Sequence, residues 1–277
     1  MQAGHYVRKK SINVNKQMKK PLILISNDDG YSAKGIAELV SFVGCLGDVI
    51  VCAPEGARSG KSRAFSMGEL TLRHLHTDTL PDCGNTIEWY ACSGTPVDCV
   101  KIAYQELCPR CPDLVLGGIN HGDNSSTNAH YSGTVGIAFE AALKGIPAIA
   151  FSLCDYDADA DFSPVRPVVE LLCRRVIADG LPRYTCLNVN VPKCVDGGSP
   201  RGMKVCRMAY GGWCSEVEPF GGADGSSYQL KGFYRCDEPE ADDTDRWALD
   251  HGYVSVTPCT VDITCHAMLK SVTSLLS

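Results

Sequence analysis

The sequence predicts an α/β fold in which helices cover both faces of a mostly parallel sheet. Five short apolar runs indicate strands: LILIS, DVIVCAP, IEWYACS, PDLVLGG and PAIAFSL. These runs are apolar throughout rather than alternating, which is typical of strands that are buried on both faces. Segments of helical periodicity lie between them, and this β-α-β order favours parallel pairing. A Rossmann-like three-layer sandwich with a mostly parallel sheet is therefore expected.

Four helices are expected to accompany these strands. In the first, apolar residues fall at spacings of three and four, so that one face covers the sheet: Ile36, Leu39, Val40, Val43 and Leu46. The other three are expected from Pro96 to about Leu107, from Ser132 to about Lys144, and from about Pro164 to Ala178. No GxGxxG motif follows the first strand, so the dinucleotide-binding version of the fold has little support.

The rhythm of the sequence changes after about Arg183. TCLNVNVP, KVCRMAY, SSYQLKGFY and GYVSVTP look like extra strands and a hairpin rather than further βα units. We therefore expect a flexible tail at 1–20, an α/β core at 21–200, and a C-terminal β-rich region at 201–277 that partly returns to the core. Residues 261–276 can form a short helix. The acidic run CDEPEADDTD, residues 236–245, is expected to be a solvated loop, because charge clusters usually face water.

Composition excludes several classes of protein. The chain has 277 residues, of which 44% are hydrophobic and 21% charged, as in ordinary globular proteins. Its formal net charge of −6 gives no basic excess for binding a nucleic-acid polymer. The most apolar stretch, 135–154, is interrupted by Glu140, Lys144 and Pro147, so no membrane span is expected.

Sixteen cysteines are scattered through apolar segments, and most are expected to be small core residues. The pair Cys108 and Cys111 has the spacing of metal ligands, but no second pair completes a zinc site. The basic N-terminal segment lacks the apolar centre of a secretory signal. Reduced thiols and a cytoplasmic location are therefore expected.

Four loops are expected at one edge of the sheet, because every strand-to-helix loop of a parallel sheet emerges on the same side. They contain NDDG, APEGARSGKSRAFS, SGTPVD and GINHGDNSSTNAHYSGT. All four are rich in oxygen donors, glycines and hydroxyl groups. Open α/β folds bind their ligands at this edge.

Asp28 and Asp29 are adjacent acids at the end of the first predicted strand. Two carboxylates a few ångströms apart repel each other by about 1 to 4 kcal/mol at surface-like dielectric constants. A divalent cation reverses that sign, and hard ions such as Mg²⁺ and Mn²⁺ prefer oxygen ligands. Oxygens of Ser59 and Asn120 on neighbouring loops would extend the shell. The alternative is that Asp28 caps a helix and Asp29 occupies a turn.

The tripeptide Ser-Gly-Thr occurs twice, at 93–95 and at 132–134, each time before a predicted helix. Helix N-termini offer unpaired N–H groups, and glycine allows an anion to approach closely. These loops therefore indicate a phosphate clamp. Ordinary N-capping by Ser or Thr is the alternative.

The order and spacing of these motifs resemble those of the SurE survival-protein family, which are metal-dependent 5′/3′-nucleotidases. The resemblance rests on ILISNDDGYSAKGI, APEGARSGKS, CSGTPVDCV, GGINHGDN and YSGTVGIAFEAA, followed by LNVNVP and TDRWALDHGYVSVTP. It spans about residue 21 to residue 265.

This resemblance implies a catalytic core whose C-terminal extension serves oligomerisation, giving a homodimer or homotetramer. It implies hydrolysis of nucleoside monophosphates, and one divalent cation per subunit, Mg²⁺ or Mn²⁺. The implied metal ligands are Asp28, Asp29, Ser59 and Asn120, the two acids also being catalytic. The implied phosphate- and substrate-binding residues are Asn27, Gly60, Ser93, Gly94, Thr95, Asn124, Ser132, Gly133 and Thr134.

The sequence is compatible with several alternatives. One acid, Asp28 being favoured, would take a proton from water or attack phosphorus directly. Lys61 and Arg63 depart from the family pattern, and Arg58 or Arg63 is hypothesised to meet phosphate or base. His121 and His130 match no family ligand and are expected to be surface or packing residues. A broad phosphatase or exopolyphosphatase, and a nucleotide sensor without catalysis, are the alternative functions.

Overall fold

The computed structural model describes residues 19–194, 198–221 and 227–276, so the predicted N-terminal tail lies almost entirely outside it. The strands, in chain order, are β1 (Leu22–Ser26), β2 (Asp48–Pro54), β3 (Leu72–Thr79), β4 (Thr86–Cys92), β5 (Leu114–His121), β6 (Ala148–Leu153), β7 (Thr185–Val191), β8 (Met203–Val205), β9 (Gly211–Cys214), β10 (Val217–Pro219), β11 (Tyr228–Leu230), β12 (Phe233–Cys236) and β13 (Val254–Thr260). The α-helices are α1 (Lys34–Val43), α2 (Pro96–Ile102), α3 (Gly133–Leu143), α4 (Arg166–Asp179), α5 (Asp245–Asp250) and α6 (Leu269–Leu275).

A nine-stranded sheet forms the centre of the structure, with the order β3-β4-β2-β1-β5-β6-β7-β13-β8. The six strands from β4 to β7 in this order all run parallel to one another. The five predicted strands and the four predicted helices are present. The predicted fold class is therefore confirmed.

Successive side chains of β1 enter two separate apolar layers, because side chains alternate across a strand. Ile23 and Ile25 are buried in the layer that contains residues of α1 and α4. Leu24 is buried in the opposite layer, with residues of α2 and α3. Each face of the sheet thus has its own core, as in a three-layer sandwich.

The sequence prediction missed β3 and misjudged where the parallel sheet ends. β3 pairs antiparallel with β4 at the edge, and most of its side chains are exposed, so it lacks an apolar run. β7 follows α4 and pairs parallel with β6, so the βα rhythm continues one strand further than expected. β13 pairs antiparallel with β7, and β8 pairs parallel with β13, so both strands run opposite to the parallel strands of the main sheet.

The C-terminal region contains the expected hairpin elements and the expected short helix. β9 pairs with β12 and β10 pairs with β11, both antiparallel. α6 completes the tail, and none of its residues is buried. No described helix has the length and apolarity needed to cross a bilayer.

Two sequence predictions need correction. The acidic run 236–245 faces solvent over most of its length, as expected, but Asp245 at its end is buried at the start of α5. Glu238 and Asp243 of the same run form ion pairs with the guanidinium of Arg207. Seven of the sixteen cysteines are buried, so core positions are not the majority. Among the exposed ones, the Sγ atoms of Cys45 and Cys83 lie 2.8 Å apart.

Candidate active site

The four predicted loops meet at the carboxyl edge of the parallel strands. The backbone N–H of Arg58, in the loop after β2, donates to the carbonyl of Asp28 after β1 at 2.6 Å. The guanidinium of Arg58 donates to the carbonyl of Ser93 after β4 at 3.0 Å. The N–H of Ser62 donates to the carbonyl of Tyr131 at 3.0 Å. These hydrogen bonds join loops that are far apart in sequence.

Asp28 lies at the N-terminus of α3 and is only 3% exposed. Its Oδ2 accepts from the N–H of Gly133 at 3.1 Å, and its Oδ1 accepts from the hydroxyl of Thr134 at 2.6 Å. Burial raises the pKa of Asp28, and the hydrogen bonds from Thr134 and Gly133 oppose that rise. The partial positive charge of the helix N-terminus therefore supports this carboxylate.

Glycine is required at 133 because Asp28 approaches the backbone so closely. A Cβ atom at this position would lie 2.7 Å from the Cβ of Asp28 and 2.9 Å from its Oδ2. Ser132 caps the helix by accepting from the N–H of Val135 at 3.0 Å. The second Ser-Gly-Thr thus performs N-capping and binds a carboxylate of the protein itself. Its predicted role in holding phosphate stays a prediction.

The first Ser-Gly-Thr also packs against a carboxylate, that of Asp98, but here Thr95 rather than the serine is the N-cap. The carboxylate of Asp98 accepts from the N–H of Thr95 at 2.8 Å and from the hydroxyl of Ser66 at 2.7 Å. Thr95 and Asp98 form a capping box on α2. A Cβ at Gly94 would lie 2.6 Å from the Cβ of Asp98. The predicted substrate role of Ser93, Gly94 and Thr95 likewise stays a prediction.

Asp29 differs from its neighbour because one of its oxygens is buried without a partner. Within the described part of the chain, its Oδ2 has no hydrogen bond. Burial and the charge of Asp28 raise the pKa of Asp29 to about 6, although the backbone and imidazole of His121 oppose the rise. An orphaned buried carboxylate oxygen costs free energy unless a cation or a proton joins it.

Asn120 and Ser59 complete the predicted ligand set. The side-chain nitrogen of Asn120 donates to the carbonyls of His121 and Gly122 at 3.2 and 2.8 Å. These two contacts identify the nitrogen end of the amide, so its oxygen is left for another partner. Ser59 and Gly60 are exposed on the loop next to Arg58.

The donor set fits a hard cation better than zinc. In the described ranges, no group of three or more His, Cys, Asp or Glu side chains is arranged to hold a metal. Two carboxylates with amide and hydroxyl oxygens suit Mg²⁺ or Mn²⁺. The orphaned Oδ2 of Asp29 is the specific feature that such an ion would satisfy.

Two predicted substrate residues make structural hydrogen bonds. Asn27 closes the turn after β1, donating to the carbonyl of Gly30 at 2.9 Å and accepting from its N–H at 3.2 Å. The side chain of Asn124 donates to the hydroxyl of Ser152 at 2.9 Å, and its N–H donates to Asn190 at 2.7 Å. These contacts fix both residues at the mouth of the sheet.

The remaining basic residues and histidines have distinct surroundings. Arg58 is half-buried, and its Nε has no hydrogen-bond partner in the described residues. Arg63 instead lies 4.7 Å from the ring centroid of Phe139, and Lys61 is exposed. The ring of His121 packs edge-on against Phe162, whereas His130 is exposed, both as expected. Of the two arginines, Arg58 is the one whose backbone contacts the acid pair, through the carbonyl of Asp28.

A cavity of about 410 Å³, which the sequence did not indicate, opens between α1 and the β3–β4 pair. Tyr31 lines it two residues after Asp29, together with the parallel rings of His76 and Trp89, whose centroids are 5.6 Å apart. Sequence reasoning missed the cavity because it depends on β3.

The fold and the site define an open α/β protein with an acidic, oxygen-rich site at the carboxyl edge of its sheet. A family model described as survival protein SurE matches residues 23–215. The chain belongs to this family, which confirms the resemblance that the motifs indicated.

Known proteins similar to the chain cover nearly its whole length. The 5′-nucleotidase SurE of Phocaeicola vulgatus is 47% identical over 255 residues, which cover 91% of this chain and 95% of the relative. The 5′-nucleotidase SurE of Bacteroides thetaiotaomicron is 46% identical over 256 residues, with the same coverage. The crystal structure of the SurE protein from Aquifex aeolicus has a TM-score of 0.74 and 33% identity, covering 93% of this chain and 100% of that chain.

The raised pKa of Asp29 predicts a pH-dependent stability in the presence of a chelator. Because its folded-state pKa of about 6 exceeds the ordinary 3.8, its contribution to stability is lost as the pH rises through 6. Asp29→Asn removes this charge. The free energy of unfolding of the variant minus that of the wild type should therefore be about 2 kcal/mol larger at pH 8 than at pH 4, a value reduced for the partial exposure of the side chain. Urea denaturation with EDTA at both pH values measures this difference.

Asp98→Asn provides a control of opposite sign. Although burial acts to raise it, hydrogen bonds from Thr95 and Ser66 hold the pKa of Asp98 below its ordinary value. Its stabilisation is present above the unfolded-state pKa and lost as the pH falls, so Asp98→Asn should be most destabilising near neutral pH. A pH-independent difference for Asp29→Asn would contradict the assigned environment.

Proposed function

We propose that the chain is a metal-dependent phosphomonoesterase that hydrolyses nucleoside 5′- and 3′-monophosphates to nucleoside and phosphate. The observation that carries this proposal is the buried Oδ2 of Asp29, which has no hydrogen-bond partner in the described residues and lies next to the buried carboxylate of Asp28. The printed name of the relatives, 5′-nucleotidase, supports the substrate class.

The two acids have different roles in this proposal. Both oxygens of Asp28 accept hydrogen bonds from α3, which fixes its orientation as a ligand. Oδ2 of Asp29 has no partner in the described residues, so we assign that oxygen to the cation. Mg²⁺ or Mn²⁺ held by Asp28, Asp29, Ser59 and Asn120 would supply charge neutralisation and a lowered pKa for water.

The substrate phosphate is proposed to lie between the acid pair, Arg58 and Asn124. The guanidinium of Arg58 is anchored to the carbonyl of Ser93, and its buried Nε has no partner in the described residues, so a phosphoryl oxygen would satisfy it. A charge-assisted hydrogen bond of this kind is stronger than a neutral one. Asn124 lies on the loop that follows Asn120, and its side-chain nitrogen is the end of the amide that donates to Ser152.

Asp28→Asn is expected to reduce phosphate release from AMP with Mn²⁺ by about a thousandfold or more, because one ligand charge is lost while the side-chain shape is kept. Phosphate release is measured for AMP, GMP, 3′-AMP, polyphosphate and p-nitrophenyl phosphate. Circular dichroism should show an unchanged fold. Asp78→Asn, the same substitution at a side chain that is 57% exposed on β3, is the matched control and should keep wild-type turnover.

The outcomes of this assay separate the candidate functions. Near-normal turnover of Asp28→Asn rules out the assigned site. A wild-type protein that binds nucleotide but releases no phosphate would be a sensor, and equal turnover of polyphosphate and p-nitrophenyl phosphate would make it a broad phosphatase.

We also propose that the C-terminal region binds a second copy of the chain. β10 and β11 form a ribbon in which every residue is exposed, including Val217, Tyr228 and Leu230. A two-stranded ribbon without a core of its own is at best marginally stable in water. Exposed apolar residues on such a ribbon are typical of a protein interface.

The cytoplasmic location of the protein stays a prediction.

Leu230→Lys with Val217→Glu tests this interface, because these residues are directly opposite each other in the ribbon. The wild type is expected to be a dimer or a tetramer, and the double variant should have a lower molar mass by light scattering after size-exclusion chromatography. Gln229→Lys, on the neighbouring residue, is the control and should keep the wild-type mass. A wild-type monomer, or a double variant that keeps the wild-type mass, contradicts the proposed interface.

A further inference from the structure

The loop of residues 123–128, which follows β5 and carries Asn124, is held from outside the α/β core. The backbone N–H of Ser126 donates to Oδ2 of Asp245 at 2.8 Å, across 119 positions of sequence. The hydroxyl of Ser126 donates to the carbonyl of Ala209 at 2.9 Å and contacts the hydroxyl of Tyr234. Three parts of the C-terminal region therefore converge on one residue of the loop.

Other contacts extend this attachment along the loop. The indole nitrogen of Trp213 donates to the side-chain oxygen of Asn128 at 2.9 Å. A guanidinium nitrogen of Arg246 lies 3.6 Å from the carboxylate of Asp123. Both partners belong to the segment between β8 and β13, so the loop is enclosed on this side by residues outside the parallel sheet.

Asp245 is the centre of the attachment and is 1% exposed. Its Oδ1 accepts from the N–H groups of Ala209 and Arg246 at 2.9 and 2.8 Å, while Oδ2 accepts from Ser126. Burying a carboxylate is costly unless its oxygens are hydrogen-bonded, so these three donors define one geometry for the side chain. Asp245 thereby ties the 123–128 loop and the chain at Ala209 to the start of α5.

The backbone of Ser126 needs such support. Its φ angle of +50° lies in the left-handed region, which residues other than glycine rarely occupy. Such a conformation persists where the surroundings fix it, and it is common at functional sites. On the other side of Asn124, the side chains of Asn188 and Asn190 hydrogen-bond to its backbone. The loop is therefore held by β7 before Ser126 and by Asp245 at Ser126.

We propose that Asp245 is a positioning residue that holds the 123–128 loop, and with it Asn124, in the geometry that binds the substrate phosphate. This role rests on the proposed function of the site. Asp245 lies within the acidic run that sequence reasoning assigned to a solvated loop.

Asp245→Asn tests the role because asparagine keeps the size but replaces one acceptor oxygen with an NH₂ group. The new NH₂ group would point at a backbone N–H that now donates to an oxygen of Asp245, so that hydrogen bond would be lost. With AMP and Mn²⁺, KM should rise about tenfold while kcat stays within about threefold, since a phosphate contact made equally in ground and transition states is lost. A general loss of folded protein would instead lower kcat at unchanged KM, and that result would overturn the role.

Asp243→Asn is the matched control. It is the same substitution two residues earlier, where the carboxylate is 62% exposed and contacts Arg207 rather than the loop. Its KM should equal that of the wild type, and an equal rise in both variants would overturn the assignment to Asp245.

Hydrogen exchange provides a readout that does not depend on activity. The amide of Ser126 should exchange about tenfold faster or more in Asp245→Asn than in the wild type, while the amides of β1 keep their protection. Unchanged exchange with unchanged KM overturns the positioning role. Should the variant not fold, the wild type decides: a Ser126 amide that exchanges at the rate of an open loop overturns the role. A wild type that releases no phosphate from any substrate overturns the proposed function instead.

Discussion

The burial of two adjacent carboxylates at the mouth of the sheet is the constraint on which the site depends. Asp28 is stabilised by the N-terminus of α3, through Gly133 and Thr134. Asp29 lacks an equivalent helix, so burial and the charge of its neighbour raise its pKa to about 6. Because repulsion between the acids grows as water is excluded, the folded chain carries a local cost that a bound cation would remove. The asymmetry gives the two acids different chemistry.

Each of the two Ser-Gly-Thr loops both caps a helix and holds a carboxylate of the protein. In both, glycine lets a carboxylate pack closely against the tripeptide; it is Asp28, from a remote loop, in one case and Asp98, from the first turn of α2, in the other. The capping function follows from the tripeptide, whereas the identity of the carboxylate does not. Asp98 is three residues from its loop, but Asp28 is 105 positions from Gly133. Only the tertiary fold brings that distant pair together.

Much of the fold could be predicted because the parallel strands are continuously apolar and their loops share one edge. β3 escaped prediction because an edge strand with exposed side chains has no apolar run. The burial of Asp245 was not predicted because the acidic run that contains it has the composition of a surface loop. Its burial depends on N–H donors of Ser126 and Ala209, which are remote in sequence.

The C-terminal region has two parts with different surroundings. One part encloses the 123–128 loop, and another presents exposed apolar residues.

Anomalous scattering from crystals soaked in Mn²⁺ shows whether the acid pair binds a hard dication. We expect a manganese peak within about 2.0 to 2.4 Å of oxygens of Asp28 and Asp29, with the side-chain oxygen of Asn120 turned towards it. Asp29→Asn crystals soaked in parallel should show a much weaker peak. A wild-type crystal without manganese at the pair, or with manganese only at other sites, would show that Asp28 and Asp29 are not a site for a hard dication.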